Sequence, residues 1–306
     1  MDTTRWHGAV TRCELMGLGY TPSEIRSALR AGIVYALAPG IFALPTLRAL
    51  PREEQHREFS CAVARRLDHR YVLGGHSAAV LHGLPLWEVD TSIVHLSLPT
   101  GDSHSGSRTS NHVRVQRDAR PSAVMHVNGI PVATPARAVV DLARRASFAS
   151  AVVTGDAALH RGLCTKADLE AELNLIVGSP GYPQACRAVA MMDGLAESPL
   201  ESRSRVDIFD GGLPKPTLQL EIVDARGGFV ARVDFAWPEQ RVVGEADGLV
   251  KYNHDDLRAV LRREKYRTDR IIEQGWRVVR WSSADLATPG LVVGRLRAAL
   301  RRPRAA

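Results

Sequence analysis

Residues 229–247 read FVARVDFAWPEQRVVGEAD, two apolar-rich runs around the loop Pro238-Glu-Gln-Arg241. The pattern predicts two β-strands joined by a tight connection. If Trp237 pairs with Val242, then Phe235 meets Gly244, Val233 meets Ala246, Asp234 lies opposite Glu245, and Asp247 lies opposite Arg232. Strand side chains alternate between faces, so Asp234, Glu245 and Asp247 share one side and the apolar residues share the other. A one-residue slip would mix the two faces, and an aromatic across from a strand glycine is a recognised sheet device. Like charges directly opposite each other destabilise a sheet, so something must offset the carboxylates. A divalent cation would do so, since hard cations take carboxylate oxygens. A solvated acidic face with Arg232 neutralising Asp247 would do so as well.

The rest of the chain frames that hairpin. With 306 residues and 45% hydrophobic content, it is long enough for two or three globular domains. It holds no apolar run of membrane-spanning length and no charged-then-apolar leader at its start, so a soluble cytoplasmic protein is expected. Cys13, Cys61, Cys164 and Cys186 are scattered, without a CxxC pair, which excludes a disulfide framework or a zinc ribbon. The net charge is +7, unevenly spread: from Leu257 onward there are 13 Lys/Arg against 4 Asp/Glu, a local +9. A basic block beside a carboxylate cluster suits a polyanion, nucleic acid being the simplest. Arg262, Arg263 and Lys265, inside an expected helix, are the candidate contacts.

Three domains are expected, at 1–50, 51–178 and 179–306. In the first, Thr11-Arg-Cys-Glu14 and Thr21-Pro-Ser-Glu24 are capping boxes that start two helices, the second stopping near Gly32. Ile25 and Leu29 form its apolar stripe. Ser23, Arg26, Ser27 and Arg30 form a polar one. Strands at 33–37 and 41–44 follow around Ala38-Pro39-Gly40. Helix, turn, helix and hairpin is a winged helix-turn-helix pattern, with those four polar residues as candidate DNA contacts. An ordinary helical hairpin with solvated arginines is the plain alternative.

The second domain reads as mixed α+β, with helices at 52–67 and 76–82, strands at 92–98 and 112–117 around a polar loop at 101–111, and a hairpin at 125–133 turning on Asn128-Gly129. Helices then follow from Thr134-Pro135 to His160. Histidines 69, 76, 82, 95, 104, 112 and 126 form no metal-ligand spacing, and each is expected in a core or on the surface. The third domain orders as helix, three strands, helix, strand, helix. Its first functional helix starts at Ser198-Pro-Leu-Glu201, and its long basic helix spans about 255–273.

That order resembles the PD-(D/E)XK nuclease superfamily, and within it the small domains similar to very-short-patch-repair endonucleases. The resemblance covers about 197–302. It rests on Glu201, Asp234, Glu245-Ala-Asp247-Gly248, the Glu264-Lys265 helix, and the Gly275-to-Trp281 strand. It implies a restriction-endonuclease-like α/β fold, with Asp234 and Glu245 as Mg²⁺ ligands beside Asp247, and Glu201 positioning metal or water. The bound metal would polarise a phosphate and acidify a water. The family's lysine two residues after the second acid is here Asp247, which leaves Lys251 as the candidate to supply that charge. Glu201 also fits plain helix capping.

Residues 8–169 resemble a second family, the AbiEi-type antitoxins of type IV toxin–antitoxin systems. The likeness rests on Gly8-Ala-Val-Thr11, Arg30-Ala-Gly32, Pro39-Gly-Ile-Phe42, His76-Ser-Ala-Ala-Val-Leu-His-Gly83, Gly129-to-Arg137, Asp141-Leu-Ala and Asp156-Ala-Ala-Leu159. It implies a transcriptional regulator that binds its own promoter and a cognate toxin partner, although the helix expected before Gly8 is nearly missing. Two readings therefore stand: a DNA-binding regulator carrying a nuclease-fold domain, and an active Mg²⁺-dependent endonuclease with Glu201, Asp234, Glu245 and Lys251 as its catalytic set. An interaction protein without a DNA role ranks behind both.

Overall fold

The computed structural model describes residue 6 and residues 8–67, 69–99, 108–120, 122–247 and 257–301. The chain is a mixed α+β protein of two compact units, Met1–Met192 and Asp193–Ala306. In the first unit, β1 (Ala9–Thr11) leads into α1 (Arg12–Gly17), then α2 (Pro22–Arg30), β2 (Tyr35–Ala38) and β3 (Ile41–Ala43). Both expected capping boxes form: Thr11 and Thr21 accept from the backbone of Glu14 and Glu24, whose carboxylates bond back. Gly32 ends α2 at φ +68, and Gly40 turns the hairpin at φ +75, conformations a side chain would strain. The strands assemble in the order β1-β3-β2. Leu15, Ile25, Ala28, Val34 and Phe42 pack beneath them with Trp6.

The unit continues with α3 (Arg52–Arg66), β4 (Val72–Leu73), α4 (Gly75–Leu81), β5 (Val94–Pro99), β6 (Arg108–Thr109), β7 (Val113–Asp118), β8 (Val124–Val127) and β9 (Ile130–Ala133). The β8–β9 turn uses Asn128 and Gly129 at φ 50 and 77, as a two-residue hairpin with both centres left-handed requires. The six strands order β6-β7-β5-β4-β9-β8. Four helices follow: α5 (Pro135–Ala143), α6 (Phe148–His160), α7 (Lys166–Asn174) and α8 (Tyr182–Met191). Domain limits at 50 and 178 do not divide this body. Ala9, Ala38 and Ile41 share a core with Phe59, Val63 and Leu96. Ala185, Ala188 and Val189 of α8 are buried with Val139, Ala151 and Leu169. The second unit therefore starts at Asp193 rather than Ser179.

In the second unit α9 (Pro199–Asp210) precedes β10 (Thr217–Val223), β11 (Phe229–Trp237) and β12 (Val242–Asp247). α10 (Leu257–Glu273) then crosses to β13 (Arg277–Ser282), and α11 (Ser283–Ala287) and α12 (Leu291–Arg301) close the unit. The sheet orders β10-β11-β12-β13, with β12 and β13 parallel and the other pairs antiparallel. One side buries Leu200 and Ile208 of α9 with Phe235, Trp237, Val242, Trp281 and Leu296. Val233, expected with Phe235 and Trp237, is fully buried but packs with Ala236, Val243, Ile271 and Trp276.

Candidate functional site

The amphipathic pattern of α2 survives in space. Ile25 and Ala28 are buried, while Ser23, Arg26, Ser27 and Arg30 are all exposed on the opposite stripe. Arg30 Nη2 donates to Ser27 Oγ at 3.4 Å, so the stripe is held only loosely. A short helix with an exposed Ser/Arg face, backed by a hairpin, can reach nucleic-acid phosphates or base edges.

The carboxylates gather at the β11–β12 hairpin in the second unit. The ladder has the expected register, Trp237↔Val242, Ala236↔Val243 and Phe235↔Gly244. Gly244 is there for space: a Cβ on it would sit 2.5 Å from Trp281 Cη2 and 3.3 Å from Phe235 Cβ. Trp281 is in turn fixed by Nε1 donating to Ser204 Oγ at 2.7 Å, which ties β13 to α9. Beyond Gly244 the strands exchange a side-chain bond, the Ala246 N–H donating to Asp234 Oδ2 at 2.9 Å.

Glu245, 3% exposed, has two arginine neighbours. Its Oε1 lies 2.6 Å from Arg267 Nη2 and its Oε2 accepts from Arg280 Nη2 at 2.6 Å. The Arg267 contact has the distance of an ion pair but not the direction of a hydrogen bond, so Oε1 is a buried acceptor without a proper donor. Arg280 stands beside Glu245 on the parallel strand β13, and its Nη2 also donates to Glu264 and to Thr268 Oγ1. These contacts hold the Glu264 carboxyl below its usual range, with the Arg280 and Arg267 charges outweighing the opposing effect of burial.

Asp234 behaves differently. Burial pushes its carboxyl up to about 6, the Ala246 bond opposes the shift, and the charges of Glu201 and Glu245 add to it. Asp247 is also raised, first by burial and then by Glu264 against the pull of Arg280 and Arg267. Glu201 is buried and fully engaged: Ser198 Oγ donates to one oxygen at 2.7 Å, and Glu197 N and Gln219 Nε2 donate to the other at 3.0 Å each. Gln219 sits at φ +51 in β10, a signal that sequence periodicity does not carry.

Several expectations change here. Arg232 does not neutralise Asp247; it forms a two-pronged pair with Glu197 at 2.8 and 2.9 Å. The reciprocal capping bond of Glu201 goes to Glu197 N rather than to Ser198 N. Lys251 and Gly248 lie outside the described residues, as do His104 and residues 101–107 of the polar loop. Arg262, Arg263 and Lys265 are exposed on α10, whose other side carries Glu264, Arg267 and Ile271 inward.

The fit to a divalent cation is poor. Among the described residues no group of three His, Cys, Asp or Glu side chains could hold a metal ion. The oxygens of Glu245 and Glu201 already face arginine, amide or hydroxyl donors, and Asp234 is half committed to Ala246. Guanidinium groups occupy the place beside Glu245 that a cation would need.

Residues 71–193 match the family model described as AbiEi antitoxin C-terminal domain. Two curated relatives come from Mycobacterium tuberculosis: Uncharacterized protein MT2308 of strain CDC 1551 / Oshkosh and Uncharacterized protein Rv2248 of strain ATCC 25618 / H37Rv. Each is 32% identical over 240 residues, covering 76% of this chain and 85% of the relative. The chain belongs to their family. The matched segment spans β4 through α8 and therefore holds the whole six-stranded sheet and the α5–α8 helices. It ends within a residue of the boundary between the two compact units. Among the described residues no helix is long and apolar enough to cross a membrane.

Proposed function

We propose that this protein is a DNA-binding regulator of the AbiEi antitoxin type, working in the cytoplasm beside a cognate toxin protein. The observation that carries this reading is the match of residues 71–193 to the AbiEi antitoxin C-terminal domain. In this reading residues 9–43 act as a winged helix. Ser23 and Ser27 bond phosphate oxygens, while Arg26 and Arg30 reach phosphates or base edges from α2. The nuclease-like second unit adds the exposed cations Arg262, Arg263 and Lys265 on α10 as a sequence-independent hold on the backbone.

Metal-dependent cleavage by Asp234 and Glu245 is the rival reading. The arginine contacts of Glu245 speak for binding without cleavage. The test is a mobility shift on DNA from upstream of the gene that encodes the protein. Arg26→Ala/Arg30→Ala should weaken binding at least tenfold and flatten its salt dependence. Unchanged affinity removes α2 from the interface. Nicking of supercoiled DNA in Mg²⁺ or Mn²⁺ by the wild type but not by Asp234→Ala would restore the endonuclease reading.

A further inference from the structure

Two sequence segments that the DNA-binding reading leaves unused, those beginning at His76 and at Asp141, meet at one cleft in the first unit. A cavity of about 340 Å³ is lined by His76, His95, Arg114, Asp141 and Arg145. A neighbouring cavity of about 550 Å³ shares Asp141 and Arg145 with it. Cavities of this size suit small ligands, which commonly occupy roughly 300–1,000 Å³.

The lining holds unspent polar groups. His95 and Arg114 are direct neighbours on the parallel strands β5 and β7. The His95 ring lies against His76, tilted by 55° with centroids 4.4 Å apart; its backbone N–H donates to Ser77 Oγ at 2.9 Å and its carbonyl accepts from Gly74 N at 3.0 Å, while among the described residues its ring makes no hydrogen bond. Burial, then the charges of His76, Arg114 and Arg145, push its imidazole down to about 3, so both arginines act at this ring. Among the described residues neither the Arg114 nor the Arg145 guanidinium makes a hydrogen bond or an ion pair, and the Arg145 backbone N–H donates to Leu142 O at 3.0 Å. Asp141 is 7% exposed; its Oδ2 accepts from Arg120 at 2.9 Å, while its Oδ1 is buried without a hydrogen bond, with Arg144 Nη1 at ion-pair distance, 3.7 Å. Two guanidiniums without ion pairs and a neutral imidazole call for an oxyanion, and the carboxylate oxygen that lacks a hydrogen bond calls for a donor on the same molecule. Glu88 and Asp90 on the rim add acceptors for further donors, with Asp90 already bonded by Ser92 N at 2.9 Å.

We propose that this cleft binds a phosphomonoester, its phosphate on Arg114, Arg145 and His95, with a hydroxyl or amino group of the ligand donating to Asp141 Oδ1. A nucleoside monophosphate and a 5′-phosphorylated nucleic-acid end both carry that chemistry. The site is independent of α2, so its test stands apart from promoter binding.

The experiment is calorimetric titration of the full chain with adenosine 5′-monophosphate, adenosine, and a short oligonucleotide with or without a 5′-phosphate. The monophosphate or the 5′-phosphorylated strand binds, and the unphosphorylated counterpart does not. Binding of the monophosphate identifies a free nucleotide as sufficient; binding of the phosphorylated strand alone identifies a polymer end. Arg114→Gln/Arg145→Gln, which breaks no ion pair among the described residues, weakens binding about tenfold or more with an unchanged circular dichroism spectrum. The His95 ring nitrogen resonances shift on titration in the wild type. The proposal is overturned if neither phosphorylated probe binds at millimolar concentration, if removing the phosphate leaves affinity unchanged, or if the double variant binds as tightly as the wild type.

Discussion

Asp234→Asn should stabilise the C-terminal unit above neutral pH. In the folded protein burial holds this carboxyl at about 6, against an ordinary value of 3.8. Because the folded pKa is the higher one, the stabilising effect of protonation is complete below pH 3.8 and is lost as the pH rises through 6. The gap of 2.2 corresponds to about 3 kcal/mol of unfavourable ionisation at pH 8, an upper figure since water still reaches part of the side chain. Asparagine keeps an oxygen for the Ala246 N–H and removes the charge that Glu201 and Glu245 oppose. Scanning calorimetry of wild type and variant from pH 4 to pH 8 measures the difference. The variant should gain about 2–3 kcal/mol in the C-terminal transition at pH 8, most of that still at pH 6, about half near pH 5, and little at pH 4. A variant that is no more stable at pH 8, or a gain independent of pH, would refute the reasoning.

Further outcomes follow from the same contacts. Millimolar Mg²⁺ should leave the wild-type C-terminal transition unmoved, because Arg267 and Arg280 already face Glu245; a rise in Tm would show a bound cation. Arg280→Ala strands a buried carboxylate and should destabilise the unit by about 3–5 kcal/mol in urea unfolding, and Arg280→Ala/Glu245→Gln should recover part of that loss. Gly244→Ala drives a Cβ against the Trp281 ring and should cost about 1–3 kcal/mol by the same measurement. The N-terminal unit should respond to acid in the opposite sense to Asp234. Burial, then the neighbouring His76, lowers His56 to about 3 from 6.5, so its contribution is complete above 6.5 and falls as the pH drops. Between pH 6.5 and 5 that amounts to about 2 kcal/mol, which His56→Gln should abolish in calorimetry of the N-terminal transition.

What could be read in advance was local. The capping boxes at Thr11 and Thr21, the left-handed Asn128-Gly129 pair and the Trp237↔Val242 register each depend on residues within a few positions of one another. Chain order alone also separated the buried side of α2 from its Ser/Arg side. The site contacts were not legible because they join distant segments. Arg232 faces Glu197 instead of Asp247, 35 positions away in sequence, and Glu245 meets Arg280 only because β12 and β13 run parallel across α10. The stack of His56, His76 and His95 brings together a helix, the next helix and a strand, with no spacing to signal it. The boundary at 193 is not legible because α8 follows a Gly/Pro-rich stretch that looks like a linker, yet its small residues pack on α5 and α6.

One nitrogen of Arg280 carries a role larger than its size. Its Nη2 bridges Glu245 in the sheet to Glu264 and Thr268, which stand one turn apart on the same side of α10. A helix turns about 100° per residue, so rolling α10 by a single position would break this bridge. The bridge therefore sets the azimuth at which Arg262, Arg263 and Lys265 face outward. In the proposed DNA-binding role a polyanion drawn to those three cations would be aimed by a side chain it never touches, and loosening Arg280 would blur the direction of the basic stripe before it removed any charge from it.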